Sequence, residues 1–126
     1  MKKLSLFTLF CLVTSIFACK KENLAPIVSI STPTLNQSIK SKTDFNITGT
    51  VSDDNSLHEM SIRIVQASDG KEILNLTPIV HDLKTFSFNE TWKPTFTEDT
   101  KVIVTVKAID HSDLSSSKSV EFTITK

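Results

Sequence analysis

The ten residues Lys101-Val102-Ile103-Val104-Thr105-Val106-Lys107-Ala108-Ile109-Asp110 decide how this chain folds. On an extended backbone Val102, Val104, Val106 and Ala108 fall on one side, and Ile103, Thr105, Lys107 and Ile109 on the other. Side chains of a strand alternate with period two, and β-branched residues fit its pleated surface, so the stretch predicts a strand with one wholly apolar face. The same period continues on both sides of it. Downstream, Ser119 to Thr125 aligns Val120, Phe122 and Ile124. Upstream, Lys84 to Trp92 aligns Phe86, Phe88 and Trp92 before Lys93-Pro94-Thr95 ends the run. Leu57 to Gln66 carries Met60, Ile62 and Ile64. Ser68-Asp69-Gly70-Lys71 joins it to Glu72 to Leu76 as a hairpin turn, because glycine accepts positive φ. Pro78 has no N–H to give to a ladder, which places the strand before it at a sheet edge. Asp44 to Ser52 buries Phe45, Ile47 and Val51, and Gly49 on that face leaves room for a bulge or a close neighbour. Ile27 to Ser31 opens the series with Val28 and Ile30 inward, and Pro33-Thr34-Leu35-Asn36-Gln37 turns the chain. Beyond Pro26 no apolar pattern recurs at three and four residues for long enough to argue a helix. Seven strands in about a hundred residues predict an all-β sandwich of two antiparallel sheets.

The other end of the chain speaks of location. Met1-Lys2-Lys3 precedes an apolar run from Leu4 to Ala18, and charge resumes at Cys19-Lys20-Lys21-Glu22. A positive end ahead of a short apolar segment reads as a secretory signal peptide. A spanning helix needs roughly 20 apolar residues, and this run is too short. Ile16-Phe17-Ala18-Cys19 resembles a bacterial lipobox, which implies cleavage after Ala18 and a lipid on Cys19. An ordinary cleavage near Ala18 is the alternative, but Phe17 spoils its small-x-small pattern. The expected organisation is a lipoprotein signal peptide at 1–18, the lipidated cysteine and a short tether at 19–25, and one domain at 26–126. Cys11 leaves with the signal, so no disulfide remains for Cys19 to form.

Loss of Lys2 and Lys3 leaves twelve basic against fourteen acidic residues, a net charge of −2. The only arginine is Arg63 and the lysines are scattered. Nucleic acid is thereby excluded as an expected partner, since a phosphate backbone needs a concentrated basic patch.

Val102-x-Val104-x-Val106-x-Ala108-x-Asp110, a Ser-rich turn and Val120-x-Phe122-x-Ile124 resemble the last two strands of bacterial immunoglobulin-like domains, which are related in shape to fibronectin type III and cadherin repeats. Ala25-Pro26-x-Val28-x-Ile30-x-x-Pro33 and Ile47-x-Gly49-x-Val51-x-Asp53 are similar to their first strands. The resemblance implies a seven-stranded immunoglobulin-like sandwich, and with the lipobox it looks like a Bacteroidetes-type envelope lipoprotein. The chain contains no tyrosine, so the tyrosine corner of these sandwiches is missing, and apolar packing must join the sheets.

Candidate sites fall on the loops. Immunoglobulin topology gathers the loop after the second strand and the last loop at one end, which brings Asp53-Asp54-Asn55 towards Asp110-His111-Ser112-Asp113. Asp53, Asp54, Asn55, Asp110 and Asp113 offer the hard oxygen ligands that calcium takes. Asp and Asn also form turns through their own backbone, and the absence of an Asp-x-Asp-x-Asp-Gly loop favours that reading. His58, His81 and His111 lack the short spacing of a zinc site and read as separate solvated loop histidines, although His58 and His111 should share one end. Trp92 belongs with the core face, which leaves Phe96 as the exposed aromatic that a ligand could stack on, with His111 as a second weak candidate. No nucleophile sits in a catalytic context, so enzyme activity is not expected. The sequence therefore predicts a lipid-anchored protein of the cell envelope, at the outer membrane, whose sandwich is a non-catalytic binding or spacer module. Its partner would be another envelope protein or a glycan. The alternatives are a calcium-stiffened adhesion or carbohydrate-binding module and a purely structural lipoprotein.

Overall fold

Alternation along the chain becomes eight strands in the computed structural model, which describes residues 21–126. The signal peptide expected at 1–18 and the lipid expected on Cys19 lie outside the described residues. Among the described residues no helix is long and apolar enough to cross a membrane. The strands are β1 (Ile27–Thr32), β2 (Ser38–Lys40), β3 (Phe45–Ser52), β4 (Leu57–Gln66), β5 (Glu72–Leu76), β6 (Thr85–Trp92), β7 (Thr100–Asp110) and β8 (Ser115–Thr125). One sheet has the order β1-β3-β6 and the other the order β2-β8-β7-β4-β5. The expected two-sheet sandwich is thus present.

Two details differ from the sequence reading. There are eight strands where seven were expected, and the eighth, β2, pairs with β8 in parallel, so that sheet is not wholly antiparallel. A three-residue strand has no room to show a period; β2 buries Ile39 alone and takes its conformation from Thr123, Ile124 and Thr125 beside it. β8 also begins four residues earlier than its apolar pattern does. Ser115, Ser116 and Ser117 are held there by pairing with Ile109, Ala108 and Lys107.

Most of the core comes from the inward faces that the alternation specified, joined by Ile39, Leu57 and Val80, while Val28, Ile30, Phe45, Phe86, Trp92 and Val120 of those faces are only partly buried. Val102, Val104, Val106 and Ala108 of β7 are fully buried, and they meet Ile62 and Ile64 of β4, Phe122 and Ile124 of β8, and Ile47 and Val51 of β3. Fully burying one such side chain stabilises by roughly 1.5–3 kcal/mol, which is how the sheets cohere with neither disulfide nor tyrosine. Phe122 is the centre of an aromatic group, with ring centroids 6.2 Å from Phe45 and 6.4 Å from Trp92. Gly49 faces Ile30 of β1 and Phe88 of β6, the close neighbour its position called for. The hairpin at Ser68 to Lys71 also forms as read: Gly70 has φ 72°, and its N–H donates to the Gln66 carbonyl. β5 pairs only with β4 and is the edge of the five-stranded sheet, as Pro78 requires.

Register fixes the ends of the sandwich. β3 reaches Ser52 and β7 reaches Asp110 at one end, where the 53–56, 77–84 and 111–114 connections lie. Phe45, Thr100 and the C-terminal residues of β8 mark the other. β7 has eleven residues, so at about 3.4 Å per residue the two ends stand roughly 35 Å apart.

Candidate functional site

Asp110 closes β7 at the first of these ends and is completely buried. Its Oδ1 accepts the backbone N–H groups of Ser112 at 2.8 Å and Leu114 at 2.9 Å, and its Oδ2 accepts from Asn23 Nδ2 at 3.1 Å. The carboxylate thereby caps the turn into β8, which Asp113 completes with φ 63°. Asp53 does the same in the other loop: it is 8% exposed, and its Oδ1 accepts from the Asn55 N–H at 2.9 Å. Asp54 meets the Lys21 ammonium at 3.4 Å, while Asn55 and Asp113 are exposed. Two carboxylate oxygens, Asp53 Oδ2 and Asp54 Oδ1, are buried without a hydrogen-bond partner among the described residues.

The four aspartates and Asn55 share an end but do not converge as a calcium ligand set would. Among the described residues the side chains whose ligand atoms lie mutually close are three histidines, with no carboxylate cage beside them. The physical reason is that Asp110 points inward to its own turn, and Lys21 already places positive charge at Asp54. We therefore expect thermal melts in millimolar calcium and in chelator to superimpose. A calcium site filled to a hundred times its dissociation constant would add about 2.7 kcal/mol, or roughly ten degrees or more, and a shift of that size would restore the calcium reading.

Phe96 is half-buried rather than standing clear. Its ring meets Trp92 edge-on at 6.4 Å, and its backbone is tied at both ends to Ser41, whose Oγ accepts its N–H at 2.9 Å and donates to its carbonyl at 2.8 Å. It lies at the end of the sandwich away from Asp110. It lines a hollow together with Lys40, Ser41, Lys42, Thr97 and Lys126.

The histidines depart most from the sequence reading. His58, His81 and His111 are exposed, as expected of loop residues, but they are not separate. Their ring centroids lie 5.4 Å apart for His58 and His81, 4.9 Å for His58 and His111, and 4.7 Å for His81 and His111. One ring nitrogen from each falls within 4.8 Å of the others. Asp82 joins them, with Oδ1 2.9 Å from His111 Nε2 and Oδ2 3.0 Å from His81 Nδ1.

Three features of the backbone assemble the group. Leu57 pairs with Asp110 and Glu59 with Ile109, which leaves His58 as the extra residue of a β-bulge. The bulge turns His58 and Glu59 both outward between the buried Leu57 and Met60. His111 follows β7 directly, and its N–H reaches the Ser56 carbonyl. His81 sits in a turn closed by the Leu83 N–H on the Val80 carbonyl at 3.0 Å. That turn is anchored by the buried Val80 and by two hydrogen bonds to the backbone of Leu57.

Sequence reasoning placed His58 and His111 at one end but missed His81 and Asp82. The signal available was slight, since nothing in the 77–84 connection says which way it folds. The hollow at the Asp54 side of this end is lined by Lys21, Glu22, Asn23, Asp54, Asn55 and Ser112.

No family model and no curated protein matches this chain. Among solved structures it is similar to the fibronectin(III)-like modules of CbhA from Clostridium thermocellum, with a TM-score of 0.54 and 20% identity over 83% of this chain. It spans about half, 49%, of that structure's length. The likeness shows an immunoglobulin-type, fibronectin III-like fold and no more. Superoxide reductase (neelaredoxin) from Ignicoccus hospitalis, at 10% identity over 79% of this chain and 81% of that one, has a TM-score of 0.45. A CARDB domain from Pyrococcus furiosus in complex with di-metal ions, at 10% identity over 81% of this chain and 93% of that one, has a TM-score of 0.42. At those scores neither bears on what this chain binds or does.

Proposed function

We propose that this chain is a lipid-anchored cell-envelope protein of the outer membrane whose sandwich is a non-catalytic module, held with its loop end towards the membrane and its far end free to bind. The observation that carries the reading is the path of the tether. Lys21 pairs with Asp54 and Asn23 with Asp110, so the residues just after Cys19 are fastened to the loop end rather than hanging from it. Two residues of extended chain reach about 7 Å. A lipid on Cys19 would therefore hold the loop end close to the headgroups.

The far end then stands roughly 35 Å away, at the length of β7. That distance is the spacer part of the reading. The binding part rests on the hollow at the far end, where the half-buried Phe96 lies between Lys40, Lys42 and Lys126. An aromatic residue in a hollow lined by three lysines suits an acidic glycan or an acidic patch on another envelope protein. The loops lend no support to catalysis, because the buried acids Asp53 and Asp110 are committed to their own turns.

The test is Cys19→Ser in cells that make the full chain. The native protein is expected in the membrane fraction and released only by detergent. In cells fed a labelled fatty acid the native chain is expected to take up the label and the variant none, the variant keeping its apolar 4–18 run because the residue at which the signal would be cut is gone. Equal labelling of the two, or no label on the native chain, would overturn the anchor.

A further inference from the structure

We infer that His58, His81 and His111 form a binding site for one late first-row transition-metal cation, of the Zn²⁺, Cu²⁺ or Ni²⁺ kind, with Asp82 as the carboxylate that orients two of the rings. The inference is independent of membrane anchoring. The whole chain contains three histidines, and the fold brings all of them, from positions 58, 81 and 111, to one point. Nothing in the packing of the core demands this, because all three rings lie outside it.

The donor chemistry selects the ion. Imidazole nitrogens are borderline ligands suited to zinc, copper and nickel, whereas calcium and magnesium take oxygen. Three protein ligands with a fourth position left open is an arrangement that zinc accepts. Nitrogens on one tetrahedral zinc, each at about 2.0–2.1 Å from the metal, stand roughly 3.4 Å from one another. One nitrogen of each ring already lies within 4.8 Å of a nitrogen of each of the others, so rotation of exposed rings is all that separates the group from that spacing. They have the freedom to do it, since the side chains of His81 and His111 are 54% and 32% exposed.

Asp82 supplies the other recognisable part. It engages one nitrogen on each of His81 and His111, and each ring keeps a second nitrogen that can ligate while Asp82 holds the first. A carboxylate hydrogen-bonded to the far side of a metal-bound imidazole fixes its tautomer and orientation and raises its basicity. Asp82 itself is held in the left-handed region, at φ 66°, a conformation uncommon outside glycine. Its N–H is fixed to the Leu57 carbonyl at 3.0 Å, so the carboxylate is carried on the same backbone as the bulge that presents His58. Exposure leaves the remaining coordination position to water or to a donor from a partner.

The experiment uses the full chain, purified in mild detergent without a histidine tag, and titrated with Zn²⁺ alone by calorimetry. One ion per chain is expected to bind at micromolar zinc, with no heat from calcium or magnesium at the same concentrations. His58→Ala, His81→Ala and His111→Ala are each expected to weaken binding by about 100-fold or more, and Asp82→Asn by about 10-fold, the range for removal of an outer-shell partner. All four positions are exposed, so melts in chelator should match the native chain, which separates lost ligands from lost fold. In proton spectra the imidazole signals of all three histidines should move together as one equivalent of zinc is added. Absence of one-to-one binding, binding that survives the three alanine substitutions, or movement of one imidazole without the other two would overturn the site.

Discussion

Gly49→Ala is expected to destabilise the domain by at least about 3 kcal/mol, at the upper end of what overpacking usually costs, and to lower the melting temperature by roughly 12–24 °C at 4–8 °C per kcal/mol for a domain of this size. A methyl group at that position would collide with the Ser29 carbonyl oxygen and with the ring of Phe88. Neither can step aside. The carbonyl belongs to β1, whose pairing with β3 is already shifted between Ile30 and Thr32, and the ring is 2% exposed and locked in the core. Glycine is usually a weak strand residue, but here its missing side chain is the space that β1 and Phe88 occupy. A thermal or urea melt decides the matter. Phe88→Leu in the same chain removes one collision and leaves the other, so the double variant should recover only part of the loss beyond its own cavity cost. A Gly49→Ala protein that melts within two or three degrees of the native chain would show that β1 yields.

The strands were legible where the core required them to be. An inward face repeats every second residue, so Val102, Val104 and Val106 announce both a strand and its buried side, and the same holds for Ile62 and Ile64 or Phe122 and Ile124. What escaped was structure imposed by a partner. β2 exists because Thr123 to Thr125 offers it an edge, and Ser115 to Ser117 are extended because β7 runs beside them. Neither segment carries an apolar period of its own.

The site divides along the same line. The role of Asp53 and Asp110 as turn formers is local chemistry, a carboxylate reaching a backbone N–H two to four residues ahead, and the sequence states it directly. Whether such carboxylates also converge depends on their rotation about Cα–Cβ, which spacing does not encode. The histidine group is non-local throughout. It needs the register of β4 on β7, the bulge at His58 and the docking of Val80, and only the first of these follows from the alternation. Two functional readings consequently occupy one end of the molecule without sharing residues. Asp54 and Asp110 hold Lys21 and Asn23, while Asp82 and the histidines form a group beside them.

Asp110 separates a structural carboxylate from a ligand carboxylate. Asp110→Ala is expected to cost at least about 4.5 kcal/mol, because hydrogen bonds to a charged group contribute about 1.5–3 kcal/mol each and three donors lose their acceptor. Those donors are the N–H groups of Ser112 and Leu114 and the amide of Asn23, so one substitution loosens both the turn into β8 and the tether. Asp110→Asn keeps the geometry. Its Oδ1 can still accept from Ser112 and Leu114, and its new NH₂ finds an acceptor once the Asn23 amide turns over, so the expected loss is only about 1 kcal/mol, near that of an ordinary hydrogen bond. Asn23→Ala should cost about 1–3 kcal/mol, because it leaves one oxygen of a buried carboxylate without a partner while the turn stays intact. The order of the three melts carries the argument: alanine at 110 far below the others, with asparagine at 110 close to the native chain. Equal damage from Asp110→Ala and Asp110→Asn would mean that the negative charge, rather than the acceptor, is what this end of the sandwich requires, and a cation bound at Asp110 would then have to be sought.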